Sequence, residues 1–167
     1  DFPKIELIIN DKVIINALKK IIFGDLKLEK VLTKVRKNIC HRIARNIENT
    51  NESVLKFIIA LGEQCFLNEY VYSLTEAEKS SLNIIINRCI DGELSEANFS
   101  ILSCYFPLYK LLTQIPSLKS FNSSNQSIKE LIEVQITEPL KEIELSKNIK
   151  KSGSINDDVS QKVKSQY

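Results

Sequence analysis

The segment of residues 53–72, SVLKFIIALGEQCFLNEYVY, is apolar on almost every side when it is drawn as a helix. The residues of one face are Leu55, Ile58, Ile59, Gly62, Cys65, Phe66 and Tyr70. The opposite face is also largely apolar, and only a narrow strip with Lys56 and Glu63 suits contact with water. A helix of this kind needs neighbours on several sides, which predicts a bundle of helices around it.

Near the end of this segment, polar residues interrupt the apolar pattern: Glu63, Gln64, Asn68 and Glu69. Glu69 falls on the first apolar face, where a buried carboxylate needs a partner. We expect this partner to be an arginine, and the candidates are Arg36, Arg42 and Arg88. The polar group is either a hydrogen-bonded network that fixes the packing of the bundle or a ligand site, and the network is favoured.

Helical signals continue on both sides of this segment, and no strand alternation is visible. Predicted helix N-caps are Asn10 or Asp11, Asp25 and Ser95, with capping boxes formed by Thr75 with Glu78 and by Ser127 with Glu130. Pro107 predicts a break at Phe106, and Pro139 suits the first turn of a helix. These signals predict an all-α fold, an irregular bundle of about six to eight helices around the buried helix 53–72. A regular solenoid is not expected, because no repeat of about 34 or 40 residues is present.

Residues 1–146 are predicted to form the bundle domain, and residues 147–167 a linker and a first helix leading toward a further domain. The chain begins with Asp1 and its last helical pattern is unfinished at Tyr167, so we expect it to be a piece of a longer protein. No uncharged apolar run approaches the roughly 18 residues of a membrane span, and no membrane partner is expected. The cysteines lie in apolar helical patterns, which favours buried free thiols and a cytoplasmic location: Cys40, Cys65, Cys89 and Cys104.

Residues 27–45 form a basic segment with seven lysine and arginine residues and one acid, Glu29. The candidate basic face consists of Lys27, Lys30, Lys34, Lys37 and Arg45. Such a face can contact the phosphates of a nucleic acid, but no aromatic residues that would stack on bases lie between these basic residues. A solvated face, or one that docks on acidic protein, is therefore favoured. His41 lies in the same stripe and is expected to be a surface residue.

The sequence contains no complete catalytic, cofactor or metal site. The glycines stand far apart, so no phosphate-binding loop is predicted, and a Rossmann-type cofactor domain would need alternating strands. No pairing of a nucleophile with a base and no metal-ligand spacing stands out. We therefore assign no catalytic, cofactor-binding or metal-binding residue, and an independent enzyme is the least favoured reading.

Three parts of the sequence together resemble a known type of protein. They are QCFLNEYVY (residues 64–72) followed by TEAE (75–78), YFPLYKL (105–111) with EVQITEPLKE (133–142), and INDDVSQKVKSQY (155–167). Their order and spacing resemble the helical region before the catalytic domain of bacterial S-adenosylmethionine-dependent methyltransferases, which often carry tetratricopeptide repeats further upstream. In that group the last part leads into an E-x-N-P-Y-P-R-W element. A proline-containing turn usual before the last part is missing from residues 150–154.

The resemblance implies a non-catalytic helical accessory domain that positions a substrate or partner beside a methyltransferase domain following Tyr167. The implied partners are that domain and a protein substrate, and S-adenosylmethionine would bind the parent protein outside this chain. Because large aromatics and amides near helix ends suit recognition, the candidate interaction residues are Gln64, Asn68, Glu69, Tyr70, Tyr105, Phe106 and Tyr109. Two alternatives stay open: a tetratricopeptide-like scaffold that binds proteins, and a nucleic-acid-binding bundle that uses the basic face.

Overall fold

The computed structural model describes residues 2–47 and 50–148, with the side chains of residues 6–47 and 50–148. Every regular element in these ranges is helical, so the predicted all-α bundle is confirmed. The α-helices are α1 (Phe2–Ile9), α2 (Lys12–Leu18), α3 (Leu26–Ala44), α4 (Glu52–Leu67), α5 (Glu76–Ile90), α6 (Glu96–Ser103), α7 (Leu108–Leu111), α8 (Gln126–Ile132) and α9 (Glu138–Asn148). A 3-10 segment covers Pro116–Ser120, and a π turn, Glu133–Thr137, joins α8 to α9.

Helix α4 packs against α1, α2, α3, α6 and α8. Its buried residues come from more than one face, since Phe57 and Leu61 are as fully buried as Ile58 and Ile59. Burying one such side chain completely contributes about 1.5–3 kcal/mol. The apolar side chains of α4 are therefore a large part of what holds the neighbouring helices together.

The C-terminal end of α4 differs from the prediction. The helix ends at Leu67 rather than at residue 72, and Asn68 is its C-cap. Glu69 and Tyr70 then adopt left-handed backbone angles, with φ of 56° and 60°. The Tyr70 N–H closes the turn by donating to the Cys65 carbonyl at 2.8 Å. Because the chain turns here, Glu69 points to solvent, and its predicted burial is wrong.

Most of the predicted helix caps are confirmed. Asp11, Asp25 and Ser95 each accept hydrogen bonds from backbone N–H groups in the first turn of their helices, and Thr75 forms the predicted capping box with Glu78. These side chains satisfy N–H groups that have no partner inside the helix. The chain also breaks as predicted before Pro107, since α6 ends at Ser103 and α7 begins at Leu108.

Two other predicted boundaries are wrong. The apolar helical pattern after Asp11 continues through Ile21 and Ile22 and predicts a helix that ends at Gly24, but α2 ends at Leu18 and leaves Ile21 and Ile22 more than half exposed. The capping box of Ser127 with Glu130 does not form, because Asn125 caps α8 two residues earlier. The Asn125 Oδ1 accepts a hydrogen bond from the Ser127 N–H at 3.0 Å, which places Ser127 inside the first turn.

The passage from α8 to α9 accommodates a proline without breaking the helix. Pro139 has no N–H, and its ring would clash with the carbonyl four residues earlier in a regular helix. The π turn Glu133–Thr137 lies directly before it, and the Glu138 N–H there donates to the carbonyl of Glu133, five residues back. π turns insert one extra residue per turn and are frequent at functional sites. This turn directs the side chain of Gln135 into the core, where it is fully buried.

Helices α4 and α6 approach closely at Gly62. A Cβ atom at this position would lie 3.0 Å from the Cβ of Ser103 and much closer to the Ser103 hydroxyl oxygen than van der Waals contact allows. We therefore expect Gly62→Ala to lower the free energy of unfolding by about 1–3 kcal/mol, the usual cost of overpacking a core. Urea unfolding followed by circular dichroism measures the loss.

Gly24→Ala is the matched control for that change. No atom lies within 4 Å of a Cβ placed on Gly24. Replacing a glycine by alanine without strain also reduces the entropy of the unfolded chain, so this variant should be neutral or slightly more stable. Equal losses in the two variants would contradict the close approach of α4 and α6.

The end of the described chain extends slightly beyond the predicted domain. Helix α9 continues to Asn148, past residue 146, while the rest of the predicted linker and the helix 156–167 lie outside the described residues. The four cysteines are free and buried, as predicted. Among the described residues, no helix combines the length and the apolar character that crossing a membrane requires.

Candidate interaction groove

A groove of about 500 Å³ opens where the end of α4, the start of α7 and the first turns of α9 meet. Its lining residues are Phe66, Glu69, Tyr70, Pro107, Tyr109, Lys110, Pro139 and Glu142. Three of the predicted interaction residues, Glu69, Tyr70 and Tyr109, come together here. Tyr109 is far from Glu69 and Tyr70 in the sequence, so only the fold brings the three residues onto one surface.

Local backbone features place each wall of this groove. The left-handed pair Glu69 and Tyr70 turns these two side chains away from the axis of α4. The Asn68 Oδ1 accepts a hydrogen bond from the Tyr70 N–H at 3.1 Å and so supports the turn. The break before Pro107 allows α7 to start in a new direction with Tyr109 in its first turn. Asn68 was predicted to be an interaction residue, but its side chain supports the turn that forms this wall. Its role here is therefore structural.

Aromatic rings and charges share the groove surface. The rings of Phe66 and Tyr70 meet edge to face, with centroids 6.5 Å apart and an interplanar angle of 85°. The Nζ atom of Lys110 lies 5.8 Å from the centroid of the Tyr109 ring, within the range of a cation–π contact. Glu69 and Lys110 are exposed, and Tyr70 and Tyr109 are half-buried. The groove therefore offers ring faces and charges to a ligand at the same time.

Gln135 lies beneath the groove and joins its walls. Its Nε2 donates to the carbonyl of Gly62 at 2.9 Å and to that of Ser103 at 3.3 Å. Its Oε1 accepts from the Leu108 N–H at 3.4 Å and from the Tyr70 hydroxyl at 3.2 Å. One buried amide thus connects α4, α6, α7 and the α8–α9 junction. This role was not predicted, and the available signal was a glutamine between the apolar Val134 and Ile136, shortly before a proline.

The hydroxyl of Tyr70 stays protonated in this setting. Burial raises the pKa of Tyr70, and the neighbouring Cys65 and Cys104 thiols raise it further, while the hydrogen bond with Gln135 acts in the opposite direction. A protonated hydroxyl can donate to the Gln135 Oε1 across the whole physiological pH range. The position of the Tyr70 ring in the groove should therefore not depend on pH.

Two polar residues of α4 hold the end of α2 rather than facing a ligand. Gln64 is fully buried, and with its amide oriented to match its neighbours it donates to the carbonyls of Leu18 at 3.1 Å and Ile21 at 2.7 Å. These carbonyls lie at and just after the end of α2, where helical partners are lacking. The carboxylate of Glu63, predicted to face water, is largely buried, 3.3 Å from the Nζ of Lys19. The structure therefore assigns Gln64 a structural role.

Tyr105 and Phe106 also lie outside the groove. Tyr105 is buried, and its hydroxyl donates to the Oε1 of Glu78 at 2.8 Å. Burial raises the pKa of Tyr105, so this hydroxyl remains protonated and able to donate. Phe106 is half-buried and packs against the hydrophobic core. Of the seven predicted interaction residues, these two and Gln64 are used inside the protein.

The buried acid that pairs with an arginine is Glu78, where the sequence analysis expected Glu69. The Nη2 atom of Arg36 lies 3.4 Å from the Glu78 Oε1 and donates to the Ser73 carbonyl at 2.7 Å. Both side chains are almost completely buried. The guanidinium carbon of Arg36 also lies 4.2 Å from the centroid of the Tyr105 ring. A capping-box glutamate therefore serves at the same time as the counter-charge of a core arginine.

Another predicted partner of Glu69, Arg88, caps the end of α3. Its Nη1 donates to the Ile43 carbonyl at 3.0 Å and to the Asn46 Oδ1 at 2.7 Å, and its Nη2 donates to the Ala44 carbonyl. Cationic side chains near a helix C-terminus interact favourably with the last carbonyl groups. Arg88 is thus a structural link between α5 and α3.

The basic face of α3 is largely accessible, whereas His41 is not simply a surface residue. Lys37 is half-buried, and the other members of the face are exposed: Lys27, Lys30, Lys34 and Arg45. The Nδ1 of His41 lies 2.6 Å from the Oγ of Ser81, and this hydrogen bond joins α3 to α5. His41 is half-buried as a result, and the prediction of a surface histidine is wrong.

Within residues 2–47 and 50–148, no group of three or more histidine, cysteine, aspartate or glutamate side chains is arranged to hold a metal ion. Comparison of the chain with models of protein families, with curated proteins and with solved structures found no match in any of the three.

Proposed function

We propose that this chain is a non-catalytic helical accessory domain of an S-adenosylmethionine-dependent methyltransferase, and that its groove holds a polypeptide substrate or partner. The observation that supports this proposal is where the resembling sequence parts lie in the fold. All eight residues that line the groove belong to residues 64–72, 105–111 and 133–142. Among the residues that the structure describes, these three stretches and residues 75–78 carry the resemblance.

The properties of the groove suit a polypeptide ligand. A volume of about 500 Å³ falls within the usual size of ligand sites, and aromatic residues are enriched among residues that dominate binding energy. Tyr70 needs little conformational ordering on binding, because its hydroxyl is hydrogen-bonded to Gln135. The backbone of Tyr109 is held in the first turn of α7. The same features would serve a tetratricopeptide-like interaction scaffold, so binding of a polypeptide is common to both readings.

The proposal predicts that S-adenosylmethionine does not bind to this chain. A ligand present at 100 times its Kd stabilises the folded state by about 2.7 kcal/mol, which for a chain of this size raises the Tm by roughly 5–10 °C. We expect no shift in a thermal melt with saturating S-adenosylmethionine. A reproducible rise of several degrees would contradict the assignment of cofactor binding to a separate domain.

A peptide array tests the proposed role of the groove. Ten-residue peptides of varied composition are probed with the chain and with its Tyr109→Ala variant, with Ile90→Ala as a control at an exposed position of α5 away from the groove. The expected result is a set of peptides whose binding is weakened by Tyr109→Ala and unchanged by Ile90→Ala. If no peptide binds, or if binding is the same for all three proteins, the groove is not the interaction site.

Nucleic-acid binding by α3 is a second candidate function, and exposure of most of the basic face favours it. Phosphate contacts would make the affinity for a single-stranded or duplex oligonucleotide fall steeply as salt is added. Charge reversal of Lys30 and Lys34 to glutamate should then abolish binding. No measurable binding at low salt would remove this candidate.

A further inference from the structure

We infer that the ligand of the groove is a cationic side chain, lysine or arginine, carried by an extended polypeptide segment. This inference rests on the proposed function, since it specifies the ligand of the same groove. The observation behind it is that aromatic rings and carboxylates line one cavity together. The carboxylates are Glu69 from the turn after α4 and Glu142 from α9.

The groove has the chemistry that recognises a cation. The faces of aromatic rings attract ammonium and guanidinium groups, and carboxylates add direct charge pairing. Lys110 is the one basic residue in the lining, against two acidic residues, whereas the whole chain has a net charge of +2. The groove is therefore locally acidic on a weakly basic protein. A partner selected by charge complementarity at this site would be basic.

Lys110 already places an ammonium group near one ring of the groove. Its Nζ lies 5.8 Å from the centroid of the Tyr109 ring. Lys110 is exposed and can leave this position without breaking a buried contact. An incoming lysine or arginine would take its place on Tyr109, and Lys110 would turn to solvent. Lys110 thus competes with a cationic ligand for the ring, while it would assist an acidic ligand.

An extended chain would contact more of the groove lining than a free cation. The lining residues come from three separate stretches, and Pro107 and Pro139 add rigid apolar surface beside the rings. Such surfaces can pack against the aliphatic part of a lysine or arginine side chain and against neighbouring residues of the ligand. The segment to be bound would place one basic side chain in the cavity and run along the groove on both sides.

Fluorescence anisotropy with three labelled ten-residue peptides tests this inference. The probes alternate serine with lysine, with glutamine or with glutamate. We expect the lysine peptide to bind most tightly. Glu69→Gln combined with Glu142→Gln should weaken its binding about tenfold, and Tyr109→Ala about two- to fivefold. Glu76→Gln combined with Glu144→Gln removes the same charge at exposed positions outside the groove and should change the Kd less than twofold.

Lys110→Gln gives the clearest result, because this change should strengthen the binding of a cationic ligand and weaken the binding of an acidic one. A cationic ligand should bind about two- to fivefold more tightly to this variant, since its competitor on the Tyr109 ring is removed. Unchanged or weaker binding of the lysine peptide to Lys110→Gln overturns the inference. The inference is also overturned if the glutamine or glutamate peptide binds the unmodified protein more tightly than the lysine peptide does. It is overturned as well if replacing Glu69 and Glu142 does not change the Kd of the lysine peptide. If a neutral or acidic peptide binds most tightly and Tyr109→Ala weakens that binding, the inference of a cationic ligand is overturned but the proposed function is not.

Discussion

Arg36→Met is expected to lower the free energy of unfolding by about 3–5 kcal/mol, the usual cost of breaking a buried ion pair by removing one partner. Methionine fills much of the volume of the arginine stem but leaves the Glu78 carboxylate as an uncompensated buried charge. The Ser73 carbonyl loses its donor at the same time. Urea unfolding at pH of about 7, compared with the unmodified chain, measures the loss.

A second substitution separates lost charge pairing from lost packing. In the chain that carries both Arg36→Met and Glu78→Gln, no buried charge remains at this site. We therefore expect the double variant to be more stable than Arg36→Met alone. If the loss of stability in the double variant equals the sum of the losses in Arg36→Met and in Glu78→Gln, the two side chains are not coupled and the proposed ion pair is wrong.

The effect of Arg36→Met should also depend on pH. Burial by itself raises the pKa of Glu78, but hydrogen bonds from Thr75 and Tyr105 and the charge of Arg36 outweigh it and hold the pKa below its usual value. A lowered carboxyl pKa stabilises the fold above the unfolded-state value of about 4.3, and this stabilisation is lost as pH falls through the folded-state pKa. The difference between variant and unmodified chain should therefore shrink at a pH of about 3.5. A constant difference would contradict the role of the ionised carboxylate.

Gln135→Met is expected to cost about 2–4 kcal/mol, because it removes the partner of several buried groups at once. The carbonyls of Gly62 and Ser103 and the Leu108 N–H each lose a hydrogen bond, although the side-chain volume changes little. Since the Tyr70 hydroxyl also loses its acceptor, the groove should bind its peptide more weakly. Thermal melts and peptide titrations measure the two effects.

Gln126→Met is the matched control for this prediction. Gln126 lies at the start of α8 and is exposed, and substitutions at such sites change stability by about 0.5 kcal/mol or less. If Gln135→Met lowers stability no more than Gln126→Met does, the buried amide does not hold the groove walls together.

Local sequence signals predicted much of the fold. The caps at Asp25, Thr75 and Ser95 and the break before Pro107 depend on residues within one turn of each other, and all four are found as predicted. The end of α4 was misplaced because the apolar pattern continues through Val71, although the backbone turns at Glu69. A left-handed turn at non-glycine residues has no strong sequence signal.

The candidate site was predictable only in part, because its residues meet through tertiary contacts. Tyr70 and Tyr109 were selected as large aromatics near helix ends, and both line the groove. Tyr105 satisfied the same criterion but is buried, since it is needed beside Arg36 and Glu78. Gln135 could not be identified from its neighbours alone, because its partners lie 27 or more residues away along the chain.

The groove between α4, α7 and α9 is the proposed surface at which this protein binds a polypeptide. Amide chemical shifts of the ¹⁵N-labelled chain, followed during titration with the lysine–serine peptide, test it most directly. The largest changes are expected at Phe66, Tyr70, Tyr109, Lys110 and Glu142, and in Tyr109→Ala the changes at the other four should require a higher peptide concentration to saturate. Changes confined to the basic face of α3, or no changes at saturating peptide, would contradict it.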